Sequence, residues 1–417
     1  MIAILKLTLI FAGVVFLIGR KWNLGLVLLL ASVMVTALFN YTFIGLLQDI
    51  WGTLTDALTL RLILAVVLIM LVGELLRQTA SMQRMVTALQ VLIPNGLIVI
   101  ASLPALIGLL PMVGGAMFSA PMVEEIGDQL HVDQEGKTFI NYWFRHIWES
   151  VFPLYPSLML GAAMLGIPTT QIFRFTWPLF LAAIAGGVIF GLWGLPSAST
   201  PPATVPSQGS HWHYLQSLAS SIWPVVMIIV LSLTLPIDER FTLITAIVVT
   251  LAVMIPVQRI STRTLLSILR ERIPWGSVAV IFGALAFRRV LESSGAVIAV
   301  SNGLTDSHVP TAAVAFGLPF ISGLLTGLMA AGYSIGFSVA LPLVTPMGGP
   351  TPAGWAVWLL AGGLVGAMMS PVHLCLGLTR VYFRAEWGPI YRRLLPASLL
   401  LVGTAALVLL WSGPGGG

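Results

Sequence analysis

Two short stretches of this chain put ionisable side chains into otherwise apolar surroundings. The first is Asn141-Tyr142-Trp143-Phe144-Arg145-His146-Ile147-Trp148-Glu149-Ser150. On a helix Arg145 and Glu149, four apart, can pair, while His146 and Glu149, three apart, share much of one face. An ionisable group at membrane depth is a functional candidate by default. Two uses are open to this trio: a charge-neutral Arg145–Glu149 pair that anchors the helix, or proton coupling through His146 or Glu149, since imidazole titrates near neutral pH. The second stretch is Ser370-Pro371-Val372-His373. Serine followed by proline is the order of a fresh helix start, with Ser370 as N-cap and Pro371 at the first helical position, which brings His373 next to a helix end. Pro153 and Pro156, with Ser157 after them, interrupt the first stretch in the same way.

The other candidates are small residues at two breaks, Gly114, Gly115 and Ser119 in the first half and Gly332, Ser334, Gly336 and Ser338 in the second. A Gly/Ser tip between short apolar arms predicts a re-entrant helical hairpin, whose irregular backbone is tolerated at membrane depth only against protein or a cavity. Half-helices starting at four such breaks would aim unpaired N–H groups and positive dipole ends at one place. Such a place suits a small anion, while freed carbonyls suit Na⁺.

The elements that must position these residues are membrane helices. Apolar residues make up 58% of the 417-residue chain and charged residues 8%, with a mean hydropathy of +0.99. Soluble domains carry roughly 25% charged residues. Spans are predicted at 2–19, 24–47, 58–76, 138–166 and 174–194, then at 216–235, 241–257, 275–300, 353–379 and 391–411, with hairpins at 95–123 and 315–345. The expectation is therefore an all-α integral membrane protein of about ten transmembrane helices plus two re-entrant hairpins, a length the chain accommodates at ~20 residues per span. The first apolar run lacks a small-residue cleavage site before Arg20-Lys21 and reads as a retained helix.

The two halves match each other. Leu103-Pro104 corresponds to Leu318-Pro319 at an offset of 215, and Pro178, Trp193 and Pro196 correspond to Pro396, Trp411 and Pro414 at 218. An internal duplication follows, with repeat 1 over 1–195 (scaffold 1–90, hairpin and transport part 91–195) and repeat 2 over 216–417 (scaffold 216–300, hairpin and transport part 301–417). The Pro/Ser/Thr-rich 196–215 segment joins them. Five crossings per repeat invert the second copy. Basic residues agree: thirteen, including Arg20, Lys21, Arg77 and Arg393, fall inside, against Arg61, Arg174, Arg240, Arg288 and Arg289 outside. Both termini are then extracytoplasmic, and the net charge of +5 reflects topology instead of nucleic-acid binding.

Other signals are weaker. A single cysteine, Cys375, excludes an intramolecular disulfide and a Cys-cluster metal site. Met112, Met117, Met329, Met368 and Met369 near the tips read as adaptable packing. Residues 124–135 read as a solvated acidic loop, and His211 and His213 around Trp212 as an interfacial anchor. No P-loop, His-Glu-x-x-His or Gly-x-Ser-x-Gly pattern is present, so no cofactor is implied beyond a coupling Na⁺ or H⁺.

The block Pro111-Met112-Val113-Gly114-Gly115-Ala116-Met117-Phe118-Ser119 through Arg145-His146-Ile147-Trp148-Glu149-Ser150-Val151-Phe152-Pro153 resembles the signature of a bacterial and archaeal membrane family of unknown function, grouped with the ion transporter superfamily of citrate, dicarboxylate and arsenite carriers. The resemblance implies a homodimer in the inner membrane, with a fixed scaffold and a transport part that moves as an elevator. Carboxylate carriers of that superfamily bind substrate through Ser-Asn-Thr tips. The tips here lack Asn and Thr, so only Ser119, Ser334, Ser338 and the tip glycines carry over. The function expected is secondary active transport of a small carboxylate or oxyanion, coupled to Na⁺ or H⁺, with Ser157, Ser370 and His373 at the helix breaks. A cation/H⁺ antiporter without organic substrate is the alternative, and a membrane-embedded enzyme using His146, Glu149 and His373 a more distant one.

Overall fold

A computed structural model describes residues 2–109, 115–195, 210–296, 298–300, 309–346, 349 and 351–412, and the regular elements among them are helices. Gly114, Met112 and the 196–209 part of the connecting segment lie outside the described residues. The first half runs α1 (Ile2–Gly19), α2 (Leu24–Leu38), α3 (Phe43–Thr55), α4 (Ala57–Gln78), α5 (Ser81–Leu92), α6 (Gly96–Gly108), α7 (Ala116–Gln129), α8 (Gln134–His146), α9 (Pro156–Leu165) and α10 (Phe173–Gly187). The second runs α11 (His211–Thr234), α12 (Glu239–Val257), α13 (Thr262–Ser267), α14 (Trp275–Ser293), α15 (Thr311–Thr326), α16 (Met329–Val344), α17 (Ala353–Met369), α18 (Leu374–Phe383) and α19 (Trp387–Ser412).

Among the described residues seven helical stretches, with α17 and α18 together as one, are long and apolar enough to cross a bilayer, or eight when the bent Thr262–Arg272 and Trp275–Ser293 pair counts as one. The chain is a multi-pass membrane protein. The predicted 24–47 span stops at Leu38: Asn40 takes a left-handed conformation and Thr42 caps a new helix, its Oγ1 accepting from the Gly45 N–H at 3.0 Å. Fifteen residues rise only ~22 Å, short of the ~30 Å hydrocarbon core. The 138–166 segment is two short helices, α8 and α9, around the break expected near Pro153 and Pro156.

Helix packing sorts into two groups. In the first, α1 to α5 pack with α11 to α14, joined along a seam where α2 meets α14 backbone to backbone: a Cβ on Gly25 would sit 2.1 Å from the Ala279 carbonyl oxygen, and one on Gly283 2.4 Å from that of Gly25. In the second, α6 to α10 pack with α15 to α19, and the closest seam joins α15 to α17. Between the groups packing thins, the larger contacts among the described residues being α5 with α6, α4 with α9, α1 with α15 and α14 with α16, and a hydrogen bond runs from Arg288 Nη1 to the Met164 carbonyl at 2.8 Å. Two adjoining clefts open along this boundary. One, of 680 Å³, is lined by Arg61, Arg240, Asp238 and Met159. The other, of 650 Å³, is lined by Asp56, Arg288, Arg289, Glu292 and Thr345.

The predicted acidic loop is mostly helix, because α7 continues to Gln129. Its carboxylates link elements of the second group: Glu124 accepts from Tyr382 at 2.7 Å, Glu135 from the Glu386 N–H at 3.0 Å, and Asp133 from Arg393, whose Nη2 lies 3.0 Å from both its oxygens. Arg393 and Asp133 are 31% and 53% exposed. Exposed pairs contribute at most about 1 kcal/mol. Arg393→Ala should therefore shift the unfolding midpoint in detergent by no more than a few degrees; a larger drop would assign the pair a structural role that its exposure argues against.

Candidate functional site

The candidate site is built where α8 and α17 stop being helical. Asp133 caps α8, accepting from the Gly136 N–H at 2.8 Å, and the helix then runs buried through Asn141, Tyr142, Arg145 and His146. After His146 the chain tightens into a 3-10 turn over Ile147–Ser150, unwinds, and restarts as α9 with Pro156 at its first turn. Proline fits there because that N–H has no partner within the helix. In the second half α17 ends at Met369 and α18 begins at Leu374. The Ser-Pro pair therefore does not begin α18 directly as the sequence led us to expect. Ser370 Oγ accepts from the Val372 N–H at 3.3 Å and donates to the Leu324 carbonyl at 2.6 Å, and His373 occupies the cap position. Ser370 thus ties the break to hairpin arm α15.

The two breaks meet. The Tyr142 hydroxyl donates to the Met368 carbonyl at 3.0 Å, seating α8 against the end of α17. His146 Nε2 and His373 Nε2 are then 3.2 Å apart, with the rings edge to face. Glu149 faces the same pair, its Oε1 3.9 Å from His146 Nε2. Cys375, the second residue of α18, completes a group of three ligand atoms with the two histidines, all within 4.8 Å of one another, the grouping among the described residues that could hold a metal. Asn141 Nδ2 donates to the Ala116 carbonyl at 3.0 Å and to Thr379 Oγ1 at 3.2 Å, joining α7, α8 and α18 below the histidines.

The facing ends of α6 and α7, and the turn between α15 and α16, each lie on a break. At the first, the Tyr155 hydroxyl donates to the Gly108 carbonyl. A Cβ on Gly108 would meet the Arg145 carbonyl at 2.2 Å, and one on Gly115 would meet the Arg145 guanidinium at 2.8 Å. Arg145 is thus turned toward the hairpin, and the 3-10 turn after His146 takes Glu149 off the i,i+4 register that would have aligned it with Arg145. At the second, the turn is at Gly327, with φ of +69°, and a Cβ there would lie 2.8 Å from the His373 N. This differs from the expected tip at 332–336. Those residues form a π turn inside α16, where Gly332 and Gly336 serve close packing on Gly363 and Pro319.

Of the residues predicted from sequence, Arg145, His146, Glu149, Ser370 and His373 are brought together, with Gly115 against Arg145. Ser119 is buried in α7, its Oγ donating at 3.3 Å to the same Ala116 carbonyl that Asn141 uses. Ser157 is the second residue of α9, just beyond the break. Ser334 and Ser338 donate to Ala331 and Ser334 carbonyls at 3.5 and 2.6 Å within α16, and Gly336 faces Pro319. Asn141, Tyr142, Thr379 and Cys375 were missed; polar Asn141 in an apolar run was the one visible signal. Chemically the site combines a buried guanidinium with the starts of α7, α9 and α18, an arrangement favourable to negative charge.

A family model described as "Protein of unknown function (DUF401)" matches residues 3–413. Among solved structures, the YdaH transporter of Alcanivorax borkumensis, described as having an unusual topology, is similar with a TM-score of 0.61 at 16% identity, covering 90% of this chain and 89% of that one. No curated protein matches the chain by sequence.

Proposed function

The chain belongs to the DUF401 family, and from that premise and its fold we propose that it is a secondary active transporter of a small anionic solute, a carboxylate or oxyanion, coupled to Na⁺ or H⁺. The observation that carries this is the meeting of two broken helices, the facing ends of α6 and α7 and the Gly327 turn around Arg145, His146 and His373, inside a helix group that touches the rest of the protein sparsely. The shared fold with a transporter supports it.

The order of elements supports a duplicated origin: α1 to α4 correspond to α11 to α14, the hairpin α6–α7 to α15–α16, the broken helix α8–α9 to α17–α18, and α10 to α19. Inverted copies would bring the hairpins to the site from opposite faces. The second group would carry the solute past the first, elevator-fashion, because the tight seams lie within the groups and the clefts lie between them.

The test is flux. Proteoliposomes under a Na⁺ or pH gradient, given carboxylates and oxyanions in turn, should discharge the gradient for one class of anion. Tethering Arg288→Cys to Met164→Cys with a short bifunctional maleimide, in a Cys375→Ser background, should stop the discharge. Discharge by inorganic cations with no anion present would replace this function with cation/proton antiport, and flux undiminished by the tether would exclude motion at the boundary.

A further inference from the structure

We propose that His146, His373 and Cys375, with Glu149 as fourth ligand, form a binding site for a borderline transition-metal cation of the zinc class. The site stands on side-chain geometry alone and holds whether or not the protein carries an anion.

Spacing is the first support. Zinc binds imidazole nitrogen at about 2.0–2.1 Å, so two nitrogens on one tetrahedral ion lie about 3.3 Å apart. The His146 and His373 Nε2 atoms are separated by 3.2 Å across 227 residues of chain, on segments held in place by the Tyr142–Met368 and Asn141–Thr379 hydrogen bonds. Cys375 Sγ lies within 4.8 Å of a ring nitrogen of each histidine, so a small side-chain rotation brings it to bonding distance, while Glu149 Oε1, 3.9 Å from His146 Nε2, stands outside this group of three and must swing in to complete the tetrahedron.

The second support is the state of the donors. His146 Nδ1 lies 2.6 Å from the Tyr142 carbonyl, which keeps the proton on Nδ1 and leaves Nε2 as a lone pair, the outer hydrogen bond that zinc-binding histidines use. Glu149 is 7% exposed and its Oε2 has no hydrogen-bond partner among the described residues; nor has the buried His373 Nδ1. Two imidazoles, a thiolate and a carboxylate select zinc, cobalt or nickel over calcium or magnesium, which prefer all-oxygen sites. On binding, the Cys375 thiol loses its proton to water, the His373 proton moves from Nε2 to Nδ1, and Glu149 ligates as the carboxylate, so binding releases protons. All four ligands belong to the second helix group, so the ion would move with it.

Cobalt(II) is the spectroscopic probe. Tag-free full-length protein in detergent, titrated with Co²⁺, should bind one equivalent and show a near-ultraviolet thiolate-to-cobalt charge-transfer band that Zn²⁺ abolishes. Cys375→Ser should lose that band and bind Co²⁺ about 10-fold or more weakly; loss of one ligand of four typically costs at least that. His373→Gln should weaken binding further, and His211→Ala with His213→Ala, on exposed α11 residues, should leave it unchanged. Thermal melts in chelator establish that each variant is folded. The charge-transfer band surviving in Cys375→Ser, binding lost with His211 and His213, or no equivalent bound by folded wild-type protein would each overturn the site.

Discussion

Gly366→Val is expected to leave no folded protein to purify. A Cβ on Gly366 would sit 2.1 Å from the Phe320 carbonyl oxygen and 2.8 Å from the Phe320 Cα, both backbone atoms, so no side chain can swing aside. The same seam has Gly362 against the Phe316 carbonyl and Gly323 against Gly363 and Ala367, which fixes α15 on α17 along about two turns. Membrane helices associate through such close packing because lipid offers no hydrophobic drive between them. Overpacking a side chain that can adjust costs roughly 1–3 kcal/mol; forcing two backbones apart removes every contact along the seam, against a total stability of about 5–15 kcal/mol. Fluorescence-detected size exclusion should show aggregate for Gly366→Val and a wild-type peak for Gly317→Val and Gly403→Val, at positions with open space around them. A monodisperse Gly366→Val peak would show that α15 and α17 can separate.

Arg145→Gln should abolish anion-dependent stabilisation while preserving the fold. Arg145 is 5% exposed and stands over the Gly115 end of α7, where its charge adds to that of the helix start. A hydrogen bond to a charged group contributes roughly 1.5–3 kcal/mol, or about 10- to 100-fold in affinity. A ligand that binds only the folded state raises its stability by mass action. Thermal shifts against carboxylates and oxyanions should therefore fall to baseline in Arg145→Gln and survive in part in Arg145→Lys, which keeps the charge but not the planar fork. An undiminished shift in Arg145→Gln would remove Arg145 from the site.

The breaks were legible because proline leaves few options. Pro156 stands at a helix start as its chemistry dictates, and α17 stops just before Ser370-Pro371. Glycine was less informative, since it serves turns and close packing equally well: Gly327 makes the hairpin turn through its positive φ, whereas Gly332 and Gly336, more conspicuous in sequence, let α16 lie on Pro319 and Gly363. The 24–47 span was over-extended because hydropathy does not register a left-handed residue such as Asn40, which follows the end of α2. The pairing of His146 with His373 was out of reach, being a contact across 227 residues set by which faces of α8 and α17 meet. Cys375 was set aside because one cysteine makes no cysteine cluster; a mixed ligand set emerges only when the fold supplies the histidines.

The clefts between the helix groups bear on hydration. At ~30 Å³ per molecule, the 680 Å³ cleft beside Arg61 and Arg240 has room for roughly 20 waters. A conformation that shut it would expel them, so solutes excluded from the cleft, such as sucrose, would favour the shut form through osmotic stress. Water activity would then act on the proposed transport cycle without any ligand engaging the histidines.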